Sequence, residues 1–224
     1  MTREVDTVNM IERGGEGPAR GYHHGNLREA LVAAGLELAR TGGPNAVVLR
    51  AASREAGVSH NAVYRHFANQ EDLLAAVAQR CMVQLSELMI EGTERVRMRD
   101  PVRRARSRLE AVGRAYIDFA RHEPGWFRTA FSSARSHPTP GGDAPPAQAG
   151  AVPSPYEVLR GALDDLVAVG ALPAERRDRA EYAAWSAVHG LSSLLLDGPL
   201  RDLPEPEVER AIGVVLTSVG RGLL

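Results

Sequence analysis

The chain has 224 residues, which is enough for one large domain or two modest ones with a sizeable core. Aromatic residues make up only 5% of it, while alanine, leucine, valine and arginine are abundant, a balance that favours helices over sheets. The formal net charge of −1 argues against a protein that coats nucleic acid or membrane indiscriminately.

The cysteine content and the hydropathy of the chain further limit the classes of protein to which it can belong. Cys81 is the single cysteine, so the chain can form neither an internal disulfide nor a thiolate-rich metal site. No run of about 18 apolar residues is present for a membrane span, and the N-terminal segment lacks the apolar stretch of a signal peptide. We therefore expect a cytoplasmic protein that contacts no membrane and needs no metal or cofactor.

The N-terminal part of the chain reads as an arm followed by a helix. Residues 1–19 are polar and contain several glycines, as is typical of a flexible arm. Asn26 is a good N-cap, and a helical stripe follows it through Leu27, Leu31, Ala34 and Leu38. Gly42-Gly43-Pro44 predicts the end of this helix.

Two short helical patterns follow between Leu49 and Phe67, separated by the turn Ala56-Gly57-Val58-Ser59. Gly57 supplies the positive φ that ends the first helix, and Ser59 can cap the second. Val63 and Phe67 lie four residues apart, so they should both face a small core. This is the pattern of a helix-turn-helix, which presents its second helix, here ending at Phe67, to the major groove of DNA.

The outer side of that second helix carries the candidate DNA contacts. Asn61 can bond adenine N6 and N7 in a bidentate manner, and His60 can bond a base edge. Other side chains are better placed for phosphates, namely Arg50, Ser59, Tyr64 and His66. Residues 20–67 contain six arginines against three glutamates, a local positive charge that suits a specific DNA reader.

Helical patterns also fill the rest of the chain. Asn69 caps a helix that should run to Gly92, and Asp100-Pro101 opens the next one, with proline at the first helical position. A break at residues 122–125 precedes a short aromatic segment. Residues 132–153 are rich in proline, glycine, alanine and serine without apolar periodicity, which predicts a flexible loop.

Three more helices are predicted beyond this loop. Ser154-Pro155-Tyr156-Glu157 forms a capping box that opens a helix through Val169. The other two run from about Pro173 to Leu196 and from about Glu205 towards the C-terminus. No segment has strand periodicity, so the predicted fold is all-α.

The segment GVSHNAVYRHFANQEDLL resembles the signature of the TetR family: a Gly-Val-Ser turn, a Tyr-x-His-Phe helix end and a capped helix. The lead-in YHHGNLREALVAAGLELARTGGPNAVVLR resembles the family's first helix. A shorter match, AAWSAVHGLSSLLLDG, resembles the Trp-x-x-x-His-Gly pattern of one TetR subgroup. The resemblance implies a homodimeric repressor that leaves a palindromic double-stranded operator when a small molecule binds its larger C-terminal domain.

Three positions depart from the family pattern. Val48 stands where a capping Ser or Thr is usual, Ala52-Ser53 replaces a frequent Ile-Ala pair, and Gln70 replaces a common lysine. These departures predict a less firmly started second helix and one phosphate contact fewer. The predicted division is an arm at 1–19, a three-helix DNA-binding head at 20–68, and an effector-binding and dimerisation body at 69–224.

The body should contain the effector pocket, since pockets are mostly apolar with few polar groups. Its candidate lining residues are Tyr116, Phe119, Trp126, Phe127, Phe131, Tyr182, Trp185 and His189. Each of these could instead be an ordinary core residue. The last two helices carry more apolar residues than one face needs, which predicts an intersubunit four-helix bundle; these are Leu191, Leu194, Leu195, Leu196, Val214, Val215 and Leu216.

Two other classes of protein compete with this interpretation. An enzyme would need an activated nucleophile, but Cys81 lies on an apolar stripe, and no Gly-x-Ser-x-Gly, His-Glu-x-x-His or phosphate-loop pattern occurs. We therefore expect no catalysis. The second alternative is a helix-turn-helix module that binds DNA or protein without a small-molecule effector.

Overall fold

The computed structural model describes residues 26–132 and 151–223, and within these ranges the chain is helical and contains no strand. The described helices are α1 (Asn26–Gly42), α2 (Leu49–Glu55), α3 (His60–Val63), α4 (Gln70–Glu94), α5 (Pro101–His122), α6 (Pro124–Ala130), α7 (Pro155–Ala168), α8 (Ala180–Leu196) and α9 (Glu205–Leu223). This confirms the all-α class. The predicted arm at 1–19 and most of the predicted loop at 132–153 lie outside the described residues.

Side-chain caps and one glycine set the local boundaries around the helix-turn-helix. Gly57 has a φ of 67° and ends α2. Val48 makes no side-chain hydrogen bond at the start of α2, as its replacement of a capping residue implied. Capping side chains accept a backbone N–H at the starts of α3, α4, α5 and α7, from Ser59, Asn69, Asp100 and Ser154 respectively.

Two helices differ in extent from the prediction. The structure ends α3 at Val63 rather than Phe67, because the backbone tightens: the His66 N–H bonds the Val63 carbonyl, three residues back, at 2.9 Å. α8 starts at Ala180 rather than near Pro173. The reason is Arg179, whose left-handed φ of 57° cannot belong to a right-handed helix.

Buried apolar residues form two clusters that share α4. The head cluster combines α1–α3 with the first part of α4 and includes Leu31, Val63, Phe67, Leu73 and Val77. The body cluster combines the second part of α4 with α5–α9 and includes Leu85, Ile117, Phe119, Leu163 and Ile212. A helix common to both clusters fixes the head relative to the body.

Within the described parts of the chain, α4 is the one helix long and apolar enough, by length and composition, to cross a membrane. Eight of its residues are buried inside the fold, so its apolar face is a core face. Cys81 lies on this face with no exposed surface, and burial raises the pKa of its thiol to about 12. Cys81 is therefore a core residue and not an activated nucleophile.

The short helix α6 packs directly on the end of α1. A Cβ atom placed on Gly125 would collide with the backbone carbonyl oxygens of Ala39 and Arg40. Trp126 and Phe131, at either end of α6, are partly buried and pack against both clusters. α6 is thus a second connection between head and body.

We expect the contact between α6 and α1 to require a glycine at position 125. We expect Gly125→Ala to lower the free energy of unfolding by about 1–3 kcal/mol, because backbone on both sides must move to admit a methyl group. The measurement is the denaturant midpoint at an unchanged m-value.

Gly161 provides the matched control for this substitution. It is exposed inside α7, and a Cβ there would have no atom within 4 Å. Gly161→Ala should be neutral or stabilise by up to about 1 kcal/mol, because alanine reduces the entropy of the unfolded chain. Equal midpoints for the two variants would contradict close packing at Gly125.

Candidate DNA interface and ligand site

The helix-turn-helix divides into a buried and an exposed side as its sequence predicted. Val63 has no exposed surface and Phe67 is 2% exposed, so both side chains anchor α3 to the head cluster. Asn61 and Tyr64 are exposed on the opposite side. The ring of His60 packs edge-on against Tyr64, with ring centroids 5.1 Å apart. The exposed side of α3 therefore carries an amide, a phenol and an imidazole next to one another.

The side chain of His60 is less accessible for a contact with a base than its position in the sequence predicted. The residue is half-buried, and its Nδ1 is enclosed without a hydrogen-bond partner in the described structure. A buried polar atom of this kind costs free energy unless a partner is supplied. Asn61 is the better exposed of the two predicted base-reading residues.

The predicted phosphate contacts surround α3. Arg50 and Ser59 are exposed, whereas His66 is half-buried. Ser59 already uses its Oγ to accept the Ala62 N–H, at 3.3 Å. Arg65 is also exposed on this turn and was missed in the sequence, where its place between Tyr64 and His66 was the available signal.

A polar group occupies the centre of the aromatic residues in the body. The Tyr116 hydroxyl accepts a hydrogen bond from Trp185 Nε1–H at 3.1 Å and is hydrogen-bonded to His189 Nδ1 at 2.8 Å. The rings of Phe127 and Phe131 surround it, with centroids 5.5 Å and 4.8 Å from that of His189. Tyr116 is 4% exposed, and burial raises the pKa of its phenol well above the ordinary value.

The other predicted pocket residues lie elsewhere. Phe119 is buried in the body cluster. Tyr182 is 44% exposed and lines a surface cleft of about 510 Å³ together with Tyr156, Arg160 and Arg179. The structure thus brings Tyr116, Phe127, Phe131, Trp185 and His189 together and leaves Phe119 and Tyr182 outside that group.

Trp126 packs against both clusters, but its hydrogen bond is made with the head. Its Nε1–H donates to the Leu36 carbonyl of α1 at 2.8 Å. Arg40, also on α1, binds both carboxylate oxygens of Glu123 at 2.7 Å and 2.9 Å, and its guanidinium lies 5.3 Å from the Trp126 ring centroid. α6 therefore contacts α1 on one side and, through Phe127, the aromatic group on the other.

The described ranges contain no candidate metal site. No group of three or more His, Cys, Asp or Glu side chains there could hold a metal ion.

A helix-turn-helix on a larger helical body defines the class of helical DNA-binding regulators. Two family models match the chain: "Bacterial regulatory proteins, tetR family" over residues 31–77, and "Tetracyclin repressor-like, C-terminal domain" over residues 109–218. Together they take in well over half of its length. The chain belongs to the TetR family and is a DNA-binding transcriptional regulator; the family consists of regulators rather than enzymes.

Solved structures with the same fold agree with this assignment. A protein of unknown function from Rhodococcus sp. RHA1 is 26% identical, with 92% of this chain and 99% of that chain covered and a TM-score of 0.65. A TetR-family transcriptional regulator from Streptomyces coelicolor is 23% identical, with coverages of 88% and 99% and a TM-score of 0.57. RolR in complex with resorcinol is 13% identical, with coverages of 89% and 88% and a TM-score of 0.60. A search of curated proteins finds no significant match.

The Tyr116 hydroxyl should stabilise the body. We expect Tyr116→Phe to lower the free energy of unfolding by about 1–3 kcal/mol, because Trp185 Nε1–H loses its acceptor inside the fold. Tyr182→Phe, at an exposed tyrosine, is the control and should have no effect. Similar denaturant midpoints for both variants would contradict the importance of this hydrogen bond.

The raised pKa of Tyr116 adds a pH dependence to the same comparison. A folded-state pKa above the unfolded value of about 10 means that stability is lost as pH rises beyond that value. The wild type should therefore lose stability above that pH more steeply than Tyr116→Phe does.

Proposed function

We propose that this regulator is a homodimeric repressor that binds a palindromic operator and leaves it when a small molecule binds the body. The observation that carries the proposal is the exposed side of α3, with Asn61 and Tyr64 above the buried Val63 and Phe67. In this proposal residues 20–68 form the DNA-binding domain, residues 69–224 form the ligand-binding and dimerisation domain, and the protein works in the bacterial cytoplasm.

DNA contacts are assigned by chemistry and exposure. Asn61, assisted by His60, reads base edges in the major groove. Phosphate contacts fix the register and come from Arg50, Ser59, Tyr64 and His66, with Arg65 added because it is exposed beside them. Arg28, whose guanidinium lies 5.1 Å from the Phe67 ring centroid, adds positive charge next to α3.

The outer faces of α8 and α9 support dimerisation. Leu194 is 42% exposed and Val214 is 60% exposed, whereas Leu191 and Leu195 are buried within the chain. Pairing the exposed faces with those of a second copy gives an intersubunit four-helix bundle and covers these side chains. Two heads related by a two-fold axis then match a palindrome.

The aromatic group around Tyr116 is the proposed effector site. Its apolar rings enclose polar atoms of Trp185, Tyr116 and His189, a composition that suits a small aromatic ligand with a hydrogen-bonding substituent. RolR, a solved protein of this fold, is in complex with resorcinol. A ligand that displaces Phe127 would move α6 and, through Trp126 and Gly125, the end of α1.

Selection of bound duplexes from a random pool tests the DNA-binding part. We expect a palindrome whose half-sites lie one helical turn, about 34–36 Å, or a multiple of it apart. Asn61→Ala should lose about 1–3 kcal/mol of discrimination at one base pair per half-site. Tyr64→Phe should weaken binding to all sequences equally, because a phosphate contact carries no base preference.

Asn45→Ala is the matched control, since Asn45 is exposed in the head but lies outside α3. It should leave both affinity and base preference unchanged. An unaltered base preference for Asn61→Ala, or enrichment of sequences without two-fold symmetry, would contradict this assignment.

Fluorescence titration with a compound library tests the effector part. In Trp126→Phe only Trp185 remains as a tryptophan, so under excitation selective for tryptophan a binding signal comes from the aromatic group. A compound that releases wild-type protein from DNA should still bind this variant but release it about fivefold less, because the contact with the Leu36 carbonyl is lost. If no compound changes both fluorescence and DNA binding, the helix-turn-helix module without an effector is the better explanation.

A further inference from the structure

A second concentration of positive charge lies outside the helix-turn-helix. Residues 95–108 contain seven arginines and one acidic residue, Asp100. Since the whole chain has a net charge of −1, the remainder of the chain is net acidic. The segment begins directly after α4 and covers the connection to α5 and the first turns of α5.

Most of these arginines are available to a partner. Arg95 is paired with Glu91 at 2.9 Å, and Arg108 with Asp165 at 3.2 Å. The other five are exposed, and none has a carboxylate oxygen within 4.0 Å in the described structure. We call these five the distal arginine patch: Arg97, Arg99, Arg103, Arg104 and Arg106.

The patch lies far from the recognition helix. α4 begins at Gln70, shortly after α3, and ends at Glu94, just before the patch. A helix of 25 residues at 1.5 Å per residue is about 37 Å long. The patch is therefore at the opposite end of α4 from α3 and is separate from the surface that α3 presents to DNA.

The chemistry of the patch suits a polyanion that has closely spaced charges. Guanidinium groups bind phosphate oxygens in a bidentate manner, and each phosphate they neutralise releases counterions. A basic cluster is also attracted to an anionic lipid surface, but peripheral membrane segments usually add apolar side chains that insert into it. Residues 95–108 contain no aromatic residue, and Met98, at 44% exposure, is their one exposed large apolar side chain.

We propose that the distal arginine patch binds the phosphate backbone of a second DNA segment without sequence preference, so that one regulator can hold two duplexes. The proposal builds on the DNA-binding function above. DNA is the favoured polyanion because a head bound to one site keeps neighbouring DNA at high local concentration. The contacts would be electrostatic and would weaken steeply with salt.

The test uses two random-sequence duplexes that carry different dyes, so it does not depend on a known operator. Full-length protein at about 50 mM salt should bring the two dyes into the same complex, measured by two-colour coincidence. The triple variant Arg97→Gln, Arg99→Gln, Arg103→Gln should reduce coincidence about tenfold. It should also lower the slope of log K for unselected DNA against log salt by about 2–3.

The matched control changes three exposed arginines elsewhere, in Arg160→Gln, Arg179→Gln, Arg201→Gln. It removes the same charge and should leave coincidence unchanged, and all three proteins should have equal thermal midpoints. The proposal is overturned if wild type shows no coincidence, if the patch variant keeps wild-type coincidence, or if both variants lose it equally. It is also overturned if the patch variant loses binding to phosphatidylserine vesicles, or to polyglutamate, while coincidence persists.

Failure of this proposal is separable from failure of the proposed function. A protein that selects a palindrome but does not join duplexes retains the operator assignment and loses the patch assignment. A protein that joins random duplexes through the patch but enriches no sequence shows the reverse.

Discussion

Gly125 allows α6 to lie directly on the last carbonyl groups of α1, so the head is held to the body by a contact that any side chain would push apart. A head of about 50 residues buries too little apolar surface to be comfortably stable alone. The shared helix α4 supplies part of the missing burial, and the contact between α6 and α1 supplies the rest. The orientation of α3 therefore depends on where the body holds α6.

The contact between α6 and α1 is weak enough to allow α6 to shift relative to the head. The Arg40–Glu123 pair is bidentate, but Arg40 is about half exposed, so solvent screens the pair and it contributes little. The hydrogen bond from Trp126 to Leu36 contributes on the order of 0.5–1.5 kcal/mol. An allosteric ligand typically supplies about 1–3 kcal/mol of coupling. These magnitudes are comparable, so a ligand beside Phe127 could shift α6 without unfolding the head.

Local signals in the sequence were sufficient for most helix boundaries and for the helix-turn-helix. Ser154 and Glu157 form the predicted capping box because both partners lie within one helical turn. Long-range contacts were not predictable in this way. Trp126 was assigned to the pocket from its neighbours, yet its hydrogen-bond partner Leu36 is 90 residues away. The late start of α8 was missed because a left-handed arginine such as Arg179 has no sequence signature.

The arginines of residues 95–108 were visible in the sequence, but their meaning depends on the length of α4. Further positive charge beside α3 would increase affinity for all DNA by the same factor, so it would add non-specific binding without improving the ratio between specific and non-specific affinity. A patch at the other end of α4, a helix about 37 Å long, is separate from the base contacts proposed for Asn61. Separation along one helix would thus let a protein with a net charge of −1 keep the proposed selective surface at one end and the proposed unselective one at the other.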